Sequence, residues 1–254
     1  MADVAASVLA RLKNKAVESG RNYQLCLQLF CQEEFLRRLE KSILEDIINV
    51  STGNDFVTFE IKDVAPIAVA KKYAGIGASI VARIKNTRTP FSIDFGVGDV
   101  IVPKQEKHRI PTQLPDFEPP MVNTYSVETT VAEKLDAILS LMEFSSRMKD
   151  YYDIYYIANK FDFDGAVLTE ALRSTFANRN HHFTVEQFDR VMSFGNDAAM
   201  QKKWKAFIRK INTKTDDYST VLKKIRNFLE RPFAATIENK ALAERWSAAD
   251  SKWI

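Results

Sequence analysis

The stretch Ile76-Gly77-Ala78-Ser79-Ile80-Val81-Ala82-Arg83-Ile84, followed after Pro90 by Phe91-Ser92-Ile93-Asp94-Phe95-Gly96-Val97, decides the fold class. In the first run Ile76, Ala78, Ile80, Ala82 and Ile84 alternate with Gly77, Ser79, Val81 and Arg83. In the second, every odd position is apolar and the even positions are Ser92, Asp94 and Gly96. A period of two is that of strands lying with one face on an apolar layer. Upstream, Val57, Phe59 and Ile61 alternate in the same way with Thr58 and Glu60. Before that, residues 3–42 carry helical spacing: Val4, Val8, Leu9 and Leu12, then Leu25, Leu29, Phe35, Leu36 and Leu39 after a break at Ser19-Gly20. From residue 121 the period is again that of helices, with Val127, Val131, Leu135, Ile138 and Met142 on one stripe and Thr184 with Gln187 at capping-box spacing. Helices, a small sheet and then an all-helical half make an α+β protein.

Five of the eight prolines, at 103, 111, 115, 119 and 120, punctuate the junction. They predict an extended connector without regular structure and a boundary near residue 120, giving domains 1–120 and 121–254. The 254 residues hold 36 Lys+Arg against 33 Asp+Glu, a balance of +3 that singles out no polyanionic partner. No window approaches the roughly 20 apolar residues of a membrane span, and Asp3, Arg11 and Lys13 interrupt any apolar start. A cytoplasmic protein without membrane partners is expected. Cys26 and Cys31 lie five apart in a helical pattern and so read as reduced thiols. Only 8 glycines are present, and no Gly-x-Gly-x-x-Gly, P-loop, Gly-x-Ser-x-Gly, His-Glu-x-x-His or Cys-x-x-Cys occurs. Rossmann enzymes, serine hydrolases and zinc peptidases are excluded. His108, His181 and His182 form no ligand pattern and read as loop surface.

Three features carry potential chemistry. Asp94 sits on the polar side of its strand between the small Ser92 and Gly96, open to a hard cation or a phosphate, or else paired across strands with Arg83. Glu133-Lys134 on one helix and Arg147-Met148-Lys149-Asp150-Tyr151-Tyr152-Asp153 at the start of the next form a dense alternation of charge beside aromatics. Arg147 and Asp150 are three apart, Lys149 and Asp153 four apart, and Ser145 or Ser146 can cap the helix. That pattern is either an ion-paired helix start or a helix end facing a triphosphate. Finally, residues 200–254 hold 13 Lys+Arg and 6 Asp+Glu, a surplus of 13 − 6 = +7, interleaved with Trp204, Phe207, Tyr218, Phe228 and Trp246. The interleaving invites a nucleic-acid reading, but the helical spacing of Trp204, Phe207, Ile208, Val221, Leu222, Ile225 and Leu229 turns the aromatics towards a core.

Several stretches in order resemble one family. They are Val4-Ala5-Ala6-Ser7-Val8 with Arg11-Leu12 and Asn14-Lys15-Ala16, then Ile93-Asp94-Phe95-Gly96-Val97-Gly98-Asp99. They continue with Glu128-Thr129-Thr130-Val131-Ala132-Glu133-Lys134-Leu135, Ser146 to Asp153, Phe161-Asp162-Phe163-Asp164-Gly165 and Thr175-Phe176-Ala177. Together they are similar to the AbiEii/AbiGii nucleotidyltransferase-like toxins of bacterial toxin–antitoxin and phage abortive-infection systems. The resemblance implies a polymerase-β-like nucleotidyltransferase core followed by a helical domain. It implies transfer of a nucleotide from an NTP, GTP among the candidates, to an RNA such as tRNA, Mg²⁺ as the metal, and a cognate antitoxin as partner. Carried over residue by residue, Asp94 matches a metal-binding acid, Lys134 the motif lysine that neutralises phosphate charge and Asp150 the helical acid. Arg147, Lys149 and Asp153 stand beside Asp150 as nucleotide-binding residues.

The sequence departs from that pattern at one place. Between Leu39-Glu40-Lys41-Ser42 and Ile43-Leu44-Glu45-Asp46 the family has a Gly-Gly or Gly-Ser turn and an Asp-x-Asp strand. Here neither is present, a loss of about 45 residues on ordinary element lengths. Two readings follow: a toxin-family nucleotidyltransferase, or a catalytically silent member that binds a nucleotide, an RNA or a protein.

Overall fold

The computed structural model describes residues 3–39, 44–66, 75–96 and 100–254. It divides into two compact units, Met1–Gly98 with Glu106–Thr124, and Asp99–Gln105 with Tyr125–Ile254.

In the first unit, helices α1 (Val4–Ser19) and α2 (Tyr23–Leu39) precede the short α3 (Leu44–Ile47). An antiparallel sheet in the order β1-β2-β3 follows, from β1 (Val57–Pro66), β2 (Gly75–Ile84) and β3 (Thr87–Gly96). The alternation does what strand geometry requires: Val57, Phe59, Ala78, Ile80, Ala82, Ile84 and Phe91 are buried together with Val8, Leu12, Leu27 and Phe30 of the helices. Asp3 starts α1 by accepting from the Ala6 amide at 3.0 Å, and Gly20 ends it with a left-handed φ of 65°. The buried stripe of α2 differs from the one expected. Leu25 is exposed, and the core is instead filled by Cys26, Leu27, Phe30 and Cys31, the two thiols, not joined in a disulfide, serving as small apolar groups. The side chains at 35, 36 and 39, the junction at 40–43 and the exit of β3 at 97–99 lie outside the described residues.

The proline-rich stretch is more ordered than its composition suggests. Strands β4 (Glu106–Arg109) and β5 (Met121–Thr124) pair antiparallel, and the Ile110 amide donates to the Pro120 carbonyl at 3.0 Å. The reason is positional: neither four-residue run contains proline, so each keeps the amide donors that pairing needs. The segment between them is tied to α1, because Arg11 Nη1 donates to Asp116 Oδ2 at 2.7 Å. That contact holds the Asp116 carboxyl below its ordinary range.

The second unit packs helices α4 (Val127–Leu141), α5 (Met148–Lys160), α6 (Gly165–Asn178), α7 (Val185–Met192), α8 (Ala198–Ile211) and α9 (Tyr218–Ile237) around one core. Ser126 caps α4, and its hydroxyl also donates to the Val102 carbonyl, which is how residues 99–105 join this unit. The Thr184–Gln187 capping box at α7 is formed on both sides. The unit is not wholly helical: β6 (Phe163–Asp164), β7 (Arg245–Ser247) and β8 (Lys252–Trp253) form a small antiparallel sheet. Strands of two or three residues carry too little alternation to read. They are held instead by Trp246, which is fully buried, packs on Phe228 and Trp253, and donates its indole N–H to the Ala158 carbonyl at 2.8 Å. Gly165 is required where this sheet meets α6, since a Cβ there would stand 2.5 Å from the Glu244 carbonyl oxygen.

Tyr151 of α5 and Tyr218 of α9 meet edge to face, ring centroids 5.4 Å apart, both buried. Burial pushes the Tyr151 phenol up to about 12 and raises that of Tyr218 as well. An unfolded chain loses these protons near pH 10, before the folded one does, so stability is full below pH 10 and falls as pH rises from 10 to about 12. For Tyr151 the loss is ~3 kcal/mol. Urea melts followed by circular dichroism across that range will show the decline; Tyr151→Phe will reduce it and leave the part due to Tyr218.

Candidate functional site

The charged residues singled out by the sequence are brought together where α4 meets the start of α5. Lys134 projects from the middle of α4, and its Nζ lies 2.5 Å from Asp153 Oδ2 and 3.4 Å from Asp150 Oδ1. Arg147 Nε lies 2.8 Å from Asp150 Oδ2, and Lys149 Nζ donates to Asp153 Oδ2 at 2.5 Å. The side chains of Asp150 and Lys134 are 4% and 18% exposed, those of Arg147 and Lys149 53% and 71%. The inner pair thus fixes the geometry, while the outer cations face whatever approaches. Three cations against two carboxylates leave 3 − 2 = +1, at the N-terminal end of a 13-residue helix whose dipole also favours an anion. Asp150 Oδ2 has an ion-pair partner in Arg147 but no aligned hydrogen bond, so that attraction is undirected.

The turn that delivers Arg147 is clamped from elsewhere in the unit. Lys203 of α8 donates from Nζ to the carbonyls of Glu143 and Ser145 at 3.1 and 2.9 Å, and Arg190 of α7 pairs with Glu143 at 2.5 Å. Neither serine caps α5 as expected. The N-cap is Arg147 itself, whose amide donates to Ser145 Oγ at 3.1 Å, so the Ser145 hydroxyl is spent one step before the helix begins.

A second buried carboxylate was invisible to motif reading. Asp136 of α4 is 2% exposed and is bonded by Arg179 Nη1 at 2.9 Å and by His181 Nδ1 at 2.7 Å. His181 is therefore not mere loop surface: it and Arg179, at the end of α6, anchor that helix to α4. The available signal was one acid inside the apolar run Leu135 to Leu139, which cannot be buried without countercharges.

Asp94 lies on β3 in the first unit, exposed as its alternation requires. It does not pair with Arg83. The register sets Asp94 opposite Gly77 and Arg83 opposite Arg88, because the antiparallel turn at 85–86 throws the two to opposite ends of the strands. Arg83 pairs instead with Glu60 of β1 at 3.2 Å. Asp63 of β1 shares the polar face with Asp94, two strands and one row away, roughly 12 Å by strand spacing. Mg²⁺ draws its oxygens to 2.0–2.1 Å, so these two cannot share an ion. Among the described residues no three His, Cys, Asp or Glu side chains are grouped to hold a metal. The one Asp-x-Asp of the chain, Asp162-Phe163-Asp164, is committed elsewhere: Asp162 accepts from the Ala248 amide at 2.8 Å, and Asp164 caps α6 through the amides of Ala166 and Val167. The residues described do not fit a two-metal centre.

The family model for the AbiEii nucleotidyl transferase toxins of type IV toxin–antitoxin systems matches residues 26–238, and the chain belongs to that family. A cognate antitoxin is the partner that membership implies. No curated protein matches the chain. No helix among the described residues is long and apolar enough to cross a membrane.

Because Asp150 keeps Arg147 when Lys134 is removed, Lys134→Met will destabilise the second unit by about 1–3 kcal/mol rather than unfold it. A double-mutant cycle with Asp150→Asn, read by urea denaturation, will show a coupling of at least about 0.5 kcal/mol.

Proposed function

We propose that this chain transfers a nucleotide from an NTP to an RNA such as a tRNA acceptor end, with its first unit descended from a polymerase-β-like core. The observation that carries the reading is the Lys134–Asp150–Asp153 cluster, with Arg147 and Lys149 exposed at its mouth, in a chain of the nucleotidyl transferase toxin family. Lys134 is held rigid by two carboxylates, so its charge is placed without further ordering, and preorganised charge is what neutralises a developing phosphate anion most effectively. Arg147 and Lys149 supply the charge that first draws a triphosphate to the N-terminus of α5. Asp150 positions both Lys134 and Arg147. The described acids do not fit Mg²⁺.

A second reading is favoured by that same mismatch: a member that binds a nucleotide, an RNA or a protein without transferring anything. The basic C-terminal segment adds little to either reading, since Trp204, Tyr218, Phe228 and Trp246 are buried in the core and only the cations face water.

Incubating the protein with radiolabelled NTPs and total tRNA separates the two. Transfer predicts incorporation that falls at least about 100-fold in Lys134→Ala, the scale of losing one preorganised charge. No incorporation above that variant, with NTP binding retained, assigns the silent reading.

A further inference from the structure

Lys149, Tyr152, Tyr156 and Lys160 of α5 recur at steps of three and four, so they stand in one row along the helix, with Asp153 beside it. Tyr152 and Tyr156 are stacked, their ring centroids 6.5 Å apart and their planes 23° from parallel, and Phe207 of α8 meets Tyr152 edge to face at 5.9 Å. Tyr156 is 49% exposed, while Tyr152 and Phe207 are half-buried and lean on the core. The outermost ring of the ladder therefore stands in water on a rigid base. Helical rise separates the two lysines by about 16 Å.

The row is positive at both ends. Asp153 is shared by Lys134 and Lys149, so its charge is already met twice. The Lys149 side chain is nonetheless 71% exposed, and Lys160, in the last turn of α5, is exposed and has no ion-pair partner among the described residues. The centres of protein interfaces are depleted in lysine, and this row holds no aliphatic side chain. An exposed ring with a cation to either side suits an unpaired nucleic-acid strand instead, whose bases lie on aromatic faces while its phosphates meet the cations. A duplex keeps its base faces stacked inside and has none to lay on Tyr156.

We propose that this face of α5 holds the unpaired end of an RNA, with a base on Tyr156 and phosphates on Lys149 and Lys160. At about 3.4 Å per stacked base the row has room for at least three nucleotides. Because it starts at Lys149, a strand lying along it brings its terminus to the cluster of Lys134, Asp150 and Asp153. The inference rests on the reading of RNA as the acceptor and narrows that acceptor to a single-stranded end.

Fluorescence anisotropy with a labelled, unstructured RNA of about 12 nucleotides, alone and annealed to its complement, tests it in the absence of NTP. The single strand binds at least tenfold more tightly than the duplex. Tyr156→Ala weakens it about tenfold, the scale of one base stacked on one ring, and Tyr156→Phe restores it. Lys160→Ala lowers the slope of log affinity against log salt by about one. Both alanine variants keep the circular dichroism spectrum, and NTP binding is unchanged in Tyr156→Ala. Equal affinity for the duplex overturns the proposal. So does unaltered RNA affinity in Tyr156→Ala, which assigns the stacked pair to a protein partner. Failure of the transfer reading is separate: RNA affinity that drops in Tyr156→Ala, with no nucleotide incorporated by the unsubstituted protein, keeps this surface and removes transfer. Incorporation with unaltered RNA affinity in Tyr156→Ala does the reverse.

Discussion

A carboxylate cannot be carried into a protein interior without countercharge, and the second unit is organised around two that are. Asp150 and Asp136 are both nearly inaccessible, and each draws cations from a different helix. Asp150 holds Lys134 of α4 and Arg147 at the start of α5; Asp136 holds Arg179 and His181 beyond α6. Buried ion pairs contribute little net free energy, since desolvation offsets attraction, but a missing partner is costly. Their effect is therefore on arrangement: α4 can pack against α5 and α6 only in the register that closes both sets of charges.

That constraint also shapes the site. Lys134 is engaged by two acids before any ligand arrives, so its position is decided by the fold and not by the substrate. Arg147 is placed by a turn that Lys203 and Arg190 hold from α8 and α7. On the proposed reading, a phosphate arriving at α5 would meet exposed Arg147 and Lys149 first, with Lys134 behind them. The sheet of the first unit offers nothing comparable to a divalent ion among its described residues, where Asp94 and Asp63 share a face without sharing a point.

What the sequence disclosed follows from how local each signal is. Alternation from Ile76 to Phe95 located the sheet and the outward side of Asp94, because strand geometry needs no partner to be read. The spacing of Arg147, Lys149, Asp150 and Asp153 showed an ion-paired helix start, because those pairs lie within one helix or one turn before it. Lys134 was grouped with them by the alternation of charge across two helices, and only its role came from family likeness. Asp136 with His181, 45 residues apart, was missed because the contact exists only after α4 and α6 pack. The Asp94–Arg83 pairing failed on register, which depends on a turn the alternation does not count. Strands β6 to β8 failed on length.

The burial of the tryptophans has an optical consequence. Of three in the chain, Trp204, Trp246 and Trp253, all belong to the second unit, with Trp204 and Trp246 deep in its core and Trp253 against Phe228. Excitation at the red edge of the aromatic band, where tyrosine does not absorb, therefore makes the second unit alone emit. The sheet-bearing unit is dark in that channel, so an emission trace and a backbone signal from the same sample watch different parts of the molecule.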